Sequence, residues 1–289
     1  MRFVIRDTIT IQRQILNMAP SLQEEAIQKR LLDAFKKIFD STTPMSTYGE
    51  VLSMMFSPGG PKEVYQEAIE TLAKENALII CKETLEKAYR QFWEAKHLLN
   101  LDEVGFGLLL GNPENKTIKF NEGYMGIGYV AGSILLVFWP SENSGPKLPA
   151  AVAHEFSHQM RLSYEPWRND LTLAEYLAIE GLAEYFAGFL CGEELLRSWV
   201  TQITEKEAHR YGKTIKRALS VTGYNQIMGY ISGEEMMGFE NDKPDTPYGA
   251  GLAVGYHLVK AYLEKTGKSI VEATFTSAKE IIEQSGFFD

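Results

Sequence analysis

The segment Leu148 to Met160, LPAAVAHEFSHQM, constrains the fold more than any other stretch of the chain. It contains no glycine, and Pro149 falls in the first turn, where proline is tolerated. A helix is expected. Ala151, Val152, Ala153, Phe156 and Met160 are spread round its axis, so the helix should be buried on nearly every side. It nevertheless carries His154, Glu155 and His158. An unpaired carboxylate in such a place is costly, so the fold has to supply these side chains with partners.

The spacing of the three residues suggests what the partner is. Residues four apart share one helix face, about 6 Å apart along the axis. Two imidazoles so placed converge on one metal ion at about 2.0–2.1 Å each. Glu155 stands about 100° round the helix, beside such an ion, where it can take a proton from a water that the metal activates. Cys81 and Cys191 are too few and too far apart for a disulfide framework or a thiolate site. Any bound metal must therefore use histidine and carboxylate. A bare HExxH arises by chance in about one chain in a hundred of this composition, so the next helix matters.

That helix is expected from Thr172 to Cys191, TLAEYLAIEGLAEYFAGFLC, opened by a Thr172/Glu175 capping box and stopped by Gly192. One face reads Leu173, Leu177, Glu180, Glu184, Ala187, Cys191. Two carboxylates one turn apart on an apolar stripe are not what a plain amphipathic helix carries. The pieces fit a site of two histidines and a glutamate with one position left open. Spacing alone allows Glu180 as the ligand with Glu184 supporting a histidine ring from behind, or the reverse. Gly181 permits close approach of another backbone.

The rest of the chain frames these helices. Residues 21–98 read as helical, with a capping box at Ser21/Glu24, a breaker at Ser57–Pro61, and further helices near 62–75 and 82–99. VGFGLLLG (104–111), TIKF (117–120) and SILLVFW (133–139) read as strands. The expected class is α+β, mostly helical. A helical N-terminal subdomain over 1–98 precedes a domain over 99–289, with its sheet at 101–140, the two site helices at 148–192 and a helical part at 193–289. Gly233 to Pro247 reads as an acidic, turn-rich loop.

HEFSH followed by EGLAE resembles the gluzincin pattern, in which the third metal ligand is the glutamate of a following helix. More closely, AVAHEFSHQMR, EGLAEYFAG and GLAVGYHLVKAYLEKTG resemble a domain-of-unknown-function family of predicted Zn-dependent proteases, over about Leu101 to Lys268. The resemblance implies a zincin-like core with a small mixed sheet. It also implies one Zn²⁺ per chain on His154, His158 and Glu180, Glu155 as catalytic base, and Glu184 as the supporting carboxylate. The substrate would be a peptide or protein lying along an edge strand supplied by Gly123 to Phe138. Tyr248, Tyr256 and His257, near Gly251-x-x-x-Gly255, are candidates for the donor that faces the developing oxyanion. Leu252 stands where an aromatic often follows the first glycine of that motif, so no tyrosine is carried over there.

Other readings lose on position. A metzincin needs glycine and histidine where Arg161 and Tyr164 stand. The GAMEN-type segment of gluzincin aminopeptidases is missing. Gly126-Ile127-Gly128-Tyr129-Val130-Ala131 matches a loose dinucleotide pattern, but it precedes an apolar strand-like run instead of opening a helix. Gly267-Lys268-Ser269 ends like a phosphate-binding loop, yet Tyr262 occupies the place of its first glycine. His97 and His209 should be solvated, and Cys191 a small buried residue. A net charge of −9 argues against nucleic acid, and no apolar run approaches the roughly 20 residues of a membrane span. A cytoplasmic zinc-dependent peptidase is the leading expectation. A zinc-binding regulatory or interaction module without proteolysis is the alternative, and the oligomeric state is not legible.

Overall fold

The structure, a computed structural model, describes residues 1–43, 46–97, 101–232 and 246–289. The chain is α+β and mostly helical, with one small mixed sheet. It divides into two compact units, Met1–Gln159 and Met160–Asp289.

In the first unit, β1 (Arg2–Ile5) leads into helices α1 (Thr8–Leu16), α2 (Pro20–Arg30), α3 (Lys36–Phe39), α4 (Tyr48–Met54), α5 (Lys62–Lys74) and α6 (Ala77–Glu94). Then follow β2 (Glu103–Leu110), α7 (Lys116–Phe120), β3 (Tyr124–Val130), β4 (Ser133–Phe138) and α8 (Leu148–Tyr164). The strands lie in the order β1-β2-β4-β3. β1 and β4 run parallel to β2, starting from Arg2↔Glu103 and Gly105↔Ser133, while β3 runs antiparallel to β4 from Tyr124↔Phe138. The central strands are the continuous apolar runs expected of strands covered on both faces, and all six residues of β4 are buried. α1 is fastened to β2 by buried polar groups. Thr8 Oγ1 donates to the Leu108 carbonyl at 2.6 Å, and Gln12 Oε1 accepts from the Leu110 amide at 2.7 Å.

Several expectations change here. TIKF is the helix α7, because the Asn115 side chain accepts from the Ile118 amide at 3.1 Å and caps a turn that strand propensity alone would have straightened. The Ser21 capping box is not formed. Pro20 occupies the first turn, and Ala19 precedes it without a side-chain cap. The helix that starts there ends at Arg30, and a 3₁₀ turn over Leu32–Phe35 carries Phe35 against Gly107. β1, four residues with no flanking turn signal, was not foreseen. It draws the N-terminus into the same sheet as residues 103–138. Residues 98–100 lie outside the described residues.

The second unit is helical: α9 (Leu173–Cys191), α10 (Ser198–Gln202), α11 (Glu205–Lys216), α12 (Tyr224–Ile231), α13 (Ala250–Thr266), α14 (Ile270–Thr274) and α15 (Ala278–Ser285). α9 opens on the expected Thr172/Glu175 capping box. It crosses α13 at Gly181 and Gly255, where a Cβ on Gly181 would come to 2.1 Å from the Gly255 carbonyl oxygen. The backbones can meet there only because neither residue has a side chain. Most of the loop expected over Gly233 to Pro247 lies outside the described residues. Among the described residues no helix is long and apolar enough to cross a membrane.

Candidate metal centre

α8 is buried from Ala150 to Arg161, as its apolar circumference requires. In the first unit Phe156 anchors it, meeting the rings of Phe3 and Phe92 edge-on at 5.8 and 6.1 Å. The helix then presents His154, Glu155 and His158 together, at 6, 4 and 1% exposure. The two Nε2 atoms are 3.1 Å apart and the ring planes stand at 86°. One ligand atom from each of the three residues falls within 4.8 Å of the others. Two nitrogens bound to one zinc at tetrahedral angles are separated by about 3.3 Å. The donor set is therefore already at the span a shared ion demands, and zinc fits the residues present.

The surroundings of this turn were less legible. The Tyr129 ring lies 4.6 Å from that of His158. Gln159, 2% exposed, grips the hairpin between β3 and β4. Its amide nitrogen donates to the carbonyls of Gly128, Val130 (2.9 Å) and Ser133 (3.3 Å), and its oxygen accepts from the Gly132 amide at 2.8 Å. These bonds satisfy backbone groups where the β3–β4 register shifts between Ile127 and Val130. β3 is an edge strand and carries Gly126 and Gly128 against Glu155. Two alternate glycines inside a strand were the available signal, since such glycines mark close approach.

In the second unit Glu180 and Glu184 are both buried on α9. Glu184 faces the buried guanidinium of Arg197, with Nη1 at 3.6 Å, an ion pair that spacing alone did not reveal. The Tyr256 hydroxyl donates to Glu193 at 2.8 Å, and its ring stacks on Tyr185 at 5.6 Å. Burial, with Glu193 beside it, raises the Tyr256 pKa well above the ordinary phenol value, so the hydroxyl stays a donor. His257 Nε2 lies 3.0 Å from the Ile203 carbonyl oxygen, and the Tyr248 ring meets Trp199 edge-on at 5.1 Å. Two lesser expectations are corrected. His209 is not simply solvated, since it stacks on Phe287 at 4.3 Å and its Nδ1 lies 3.1 Å from the Phe287 carbonyl oxygen. Cys191 is only partly buried at the end of α9.

The chain is similar along its whole length to the uncharacterized protein YjfC of Bacillus subtilis, at 31% identity over 302 aligned residues that cover 99% of the relative. It is also similar to the uncharacterized protein YjaZ of the same organism, at 25% identity over 52% of this chain and 55% of that one. No solved structure matches it. Residues 78–283, which hold α8, α9 and α13, match the DUF2268 family model, described as predicted Zn-dependent protease. The chain belongs to that family of predicted Zn-dependent proteases.

Proposed function

We propose that the chain is a zinc-dependent peptidase of gluzincin type that hydrolyses peptide bonds. The observation that carries the reading is the pair of imidazole nitrogens 3.1 Å apart with the Glu155 carboxylate beside them on a buried helix. His154 and His158 hold the metal, with Glu180 as third ligand and Glu184 in support. A bound zinc supplies acidification of water and polarisation of the scissile carbonyl. Glu155 takes the proton of the attacking water and delivers it to the leaving amine. The substrate backbone adds to β3. The Trp139 amide donates to the Gly123 carbonyl at 2.8 Å, which sets the register so that Met125 and Ile127 turn their amides to β4. Gly126 therefore turns its N–H and C=O away from β4, toward a strand laid alongside.

Purified protein should contain one zinc per chain and should cleave a denatured protein until a chelator is added. Glu155→Gln should keep the zinc and lose hydrolysis. Glu180→Gln should lose zinc more readily than Glu184→Gln, and the opposite order would exchange their roles. A His154→Ala chain with undiminished zinc would overturn the reading. The alternative, a zinc-binding regulatory or interaction module, gains from the engagement of Tyr256 with Glu193, which occupies one candidate oxyanion donor. It predicts zinc without cleavage.

A further inference from the structure

Gly126 and Gly128 are the part of the rejected dinucleotide pattern that still needs a physical reason. Neither has a positive φ, so conformational freedom does not explain them. Glycine inside a strand weakens it, because it gives up side-chain packing and loses more entropy on folding. Space does explain them. A Cβ on Gly126 would lie 2.1 Å from Cδ and Oε1 of Glu155 and 2.5 Å from its Cγ, far inside any real contact distance. A Cβ on Gly128 would lie 2.4 Å from the Glu155 carbonyl oxygen and 2.8 Å from Oε2. At Gly126 the obstacle is the Glu155 side chain, whereas at Gly128 it is first the helix backbone.

What yields to a Cβ at these positions is decided by Gln159. Its bonds to Gly128, Val130, Gly132 and Ser133 fasten the strand and hairpin to α8. The strand is tied and the helix backbone is buried, so the movable partner of an added methyl at position 126 is the carboxylate. We propose that Gly126 is a positioning residue. Its missing side chain forms the recess that fixes the Glu155 carboxylate, and Gly128 seats the helix backbone that carries it. This rests on reading Glu155 as the base. The same residue then serves both sides of the reaction, offering its backbone to the substrate and its empty face to the proton acceptor.

The test is a double-mutant cycle on the full chain, read by melting temperature, zinc content and steady-state cleavage of a denatured protein. Gly126→Ala should retain one zinc per chain and lower kcat about 100-fold with KM little changed, as expected for an ångström-scale misplacement of a reacting group. It should lower Tm with Glu155 present and leave Tm unchanged in a Glu155→Ala background, where the colliding atoms are gone. Gly128→Ala should lower Tm in both backgrounds. Gly105→Ala is the control, since a Cβ there meets nothing closer than 3.8 Å, and it should keep kcat. If Gly126→Ala alone fails to fold, folding of the Gly126→Ala, Glu155→Ala chain supports the proposal equally. An identical Tm loss in both backgrounds, or an unchanged kcat, would overturn it. If the unaltered protein cleaves nothing, the peptidase reading falls, while the Tm cycle still decides whether the recess exists.

Discussion

His257 is 8% exposed, and burial pushes its imidazole below the ordinary value near 6.5, with Lys260 acting in the same direction against the Ile203 carbonyl and Glu205. The folded state therefore binds this proton less readily than the unfolded chain. Stability from this group is complete above the unfolded pKa and is lost as pH falls through about 6.5 toward the lower folded value. Denaturant unfolding between pH 7.5 and 5 should show stability falling, and His257→Gln should flatten that part of the curve. A second residue acts through geometry. Arg161, 1% exposed, donates Nη1 to the carbonyls of Thr274 and Thr276 at 3.0 and 2.6 Å and Nη2 to Glu165. A lysine there has one nitrogen for all three acceptors, so Arg161→Lys should cost about 2–3 kcal/mol in denaturant unfolding. In the sequence Arg161 only helped to exclude another protease class. Its clamp was invisible because two of its three acceptors are backbone carbonyls more than a hundred residues away.

Among elements, the legible ones were those whose signal is local. α9 could be read because Thr172 and Glu175 close a capping box and Gly192 stops the helix. Thr172→Ala should cost about 1 kcal/mol by the same denaturant assay. α8 could be read from its apolar circumference and its paired histidines. α7 was misread, since one asparagine cap outweighed β-like composition, and β1 was missed because its only warrant is β2, a hundred residues on. The α9–α13 crossing lies between these cases. Gly181 suggested a close approach, and the structure names Gly255 as the partner. Helix propensity alone favours Gly255→Ala by about 1 kcal/mol. A Cβ there would nevertheless lie 2.7 Å from the Leu177 carbonyl oxygen. Net destabilisation of about 1–3 kcal/mol is expected, with a lowered Tm as the readout.

For the whole molecule, a metal that binds only the folded chain must add to its stability. Free zinc at a hundred times its dissociation constant contributes about 2.7 kcal/mol. Tm should rise with zinc and fall with chelator, and His154→Ala should lose most of that response. Of the carboxylates behind the net charge of −9, Glu155, Glu180 and Glu184 are buried. Hairpin turns at a sheet edge are ordinarily where insertions are tolerated. The turn between β3 and β4 is different, because Gln159 reads the carbonyls of Val130 and Ser133 and the amide of Gly132 at once. A residue added between Val130 and Ser133 would pull at least one of those groups out of reach. One glutamine side chain, on the residue directly after His158, thus acts as a ruler for a hairpin whose length would otherwise be free.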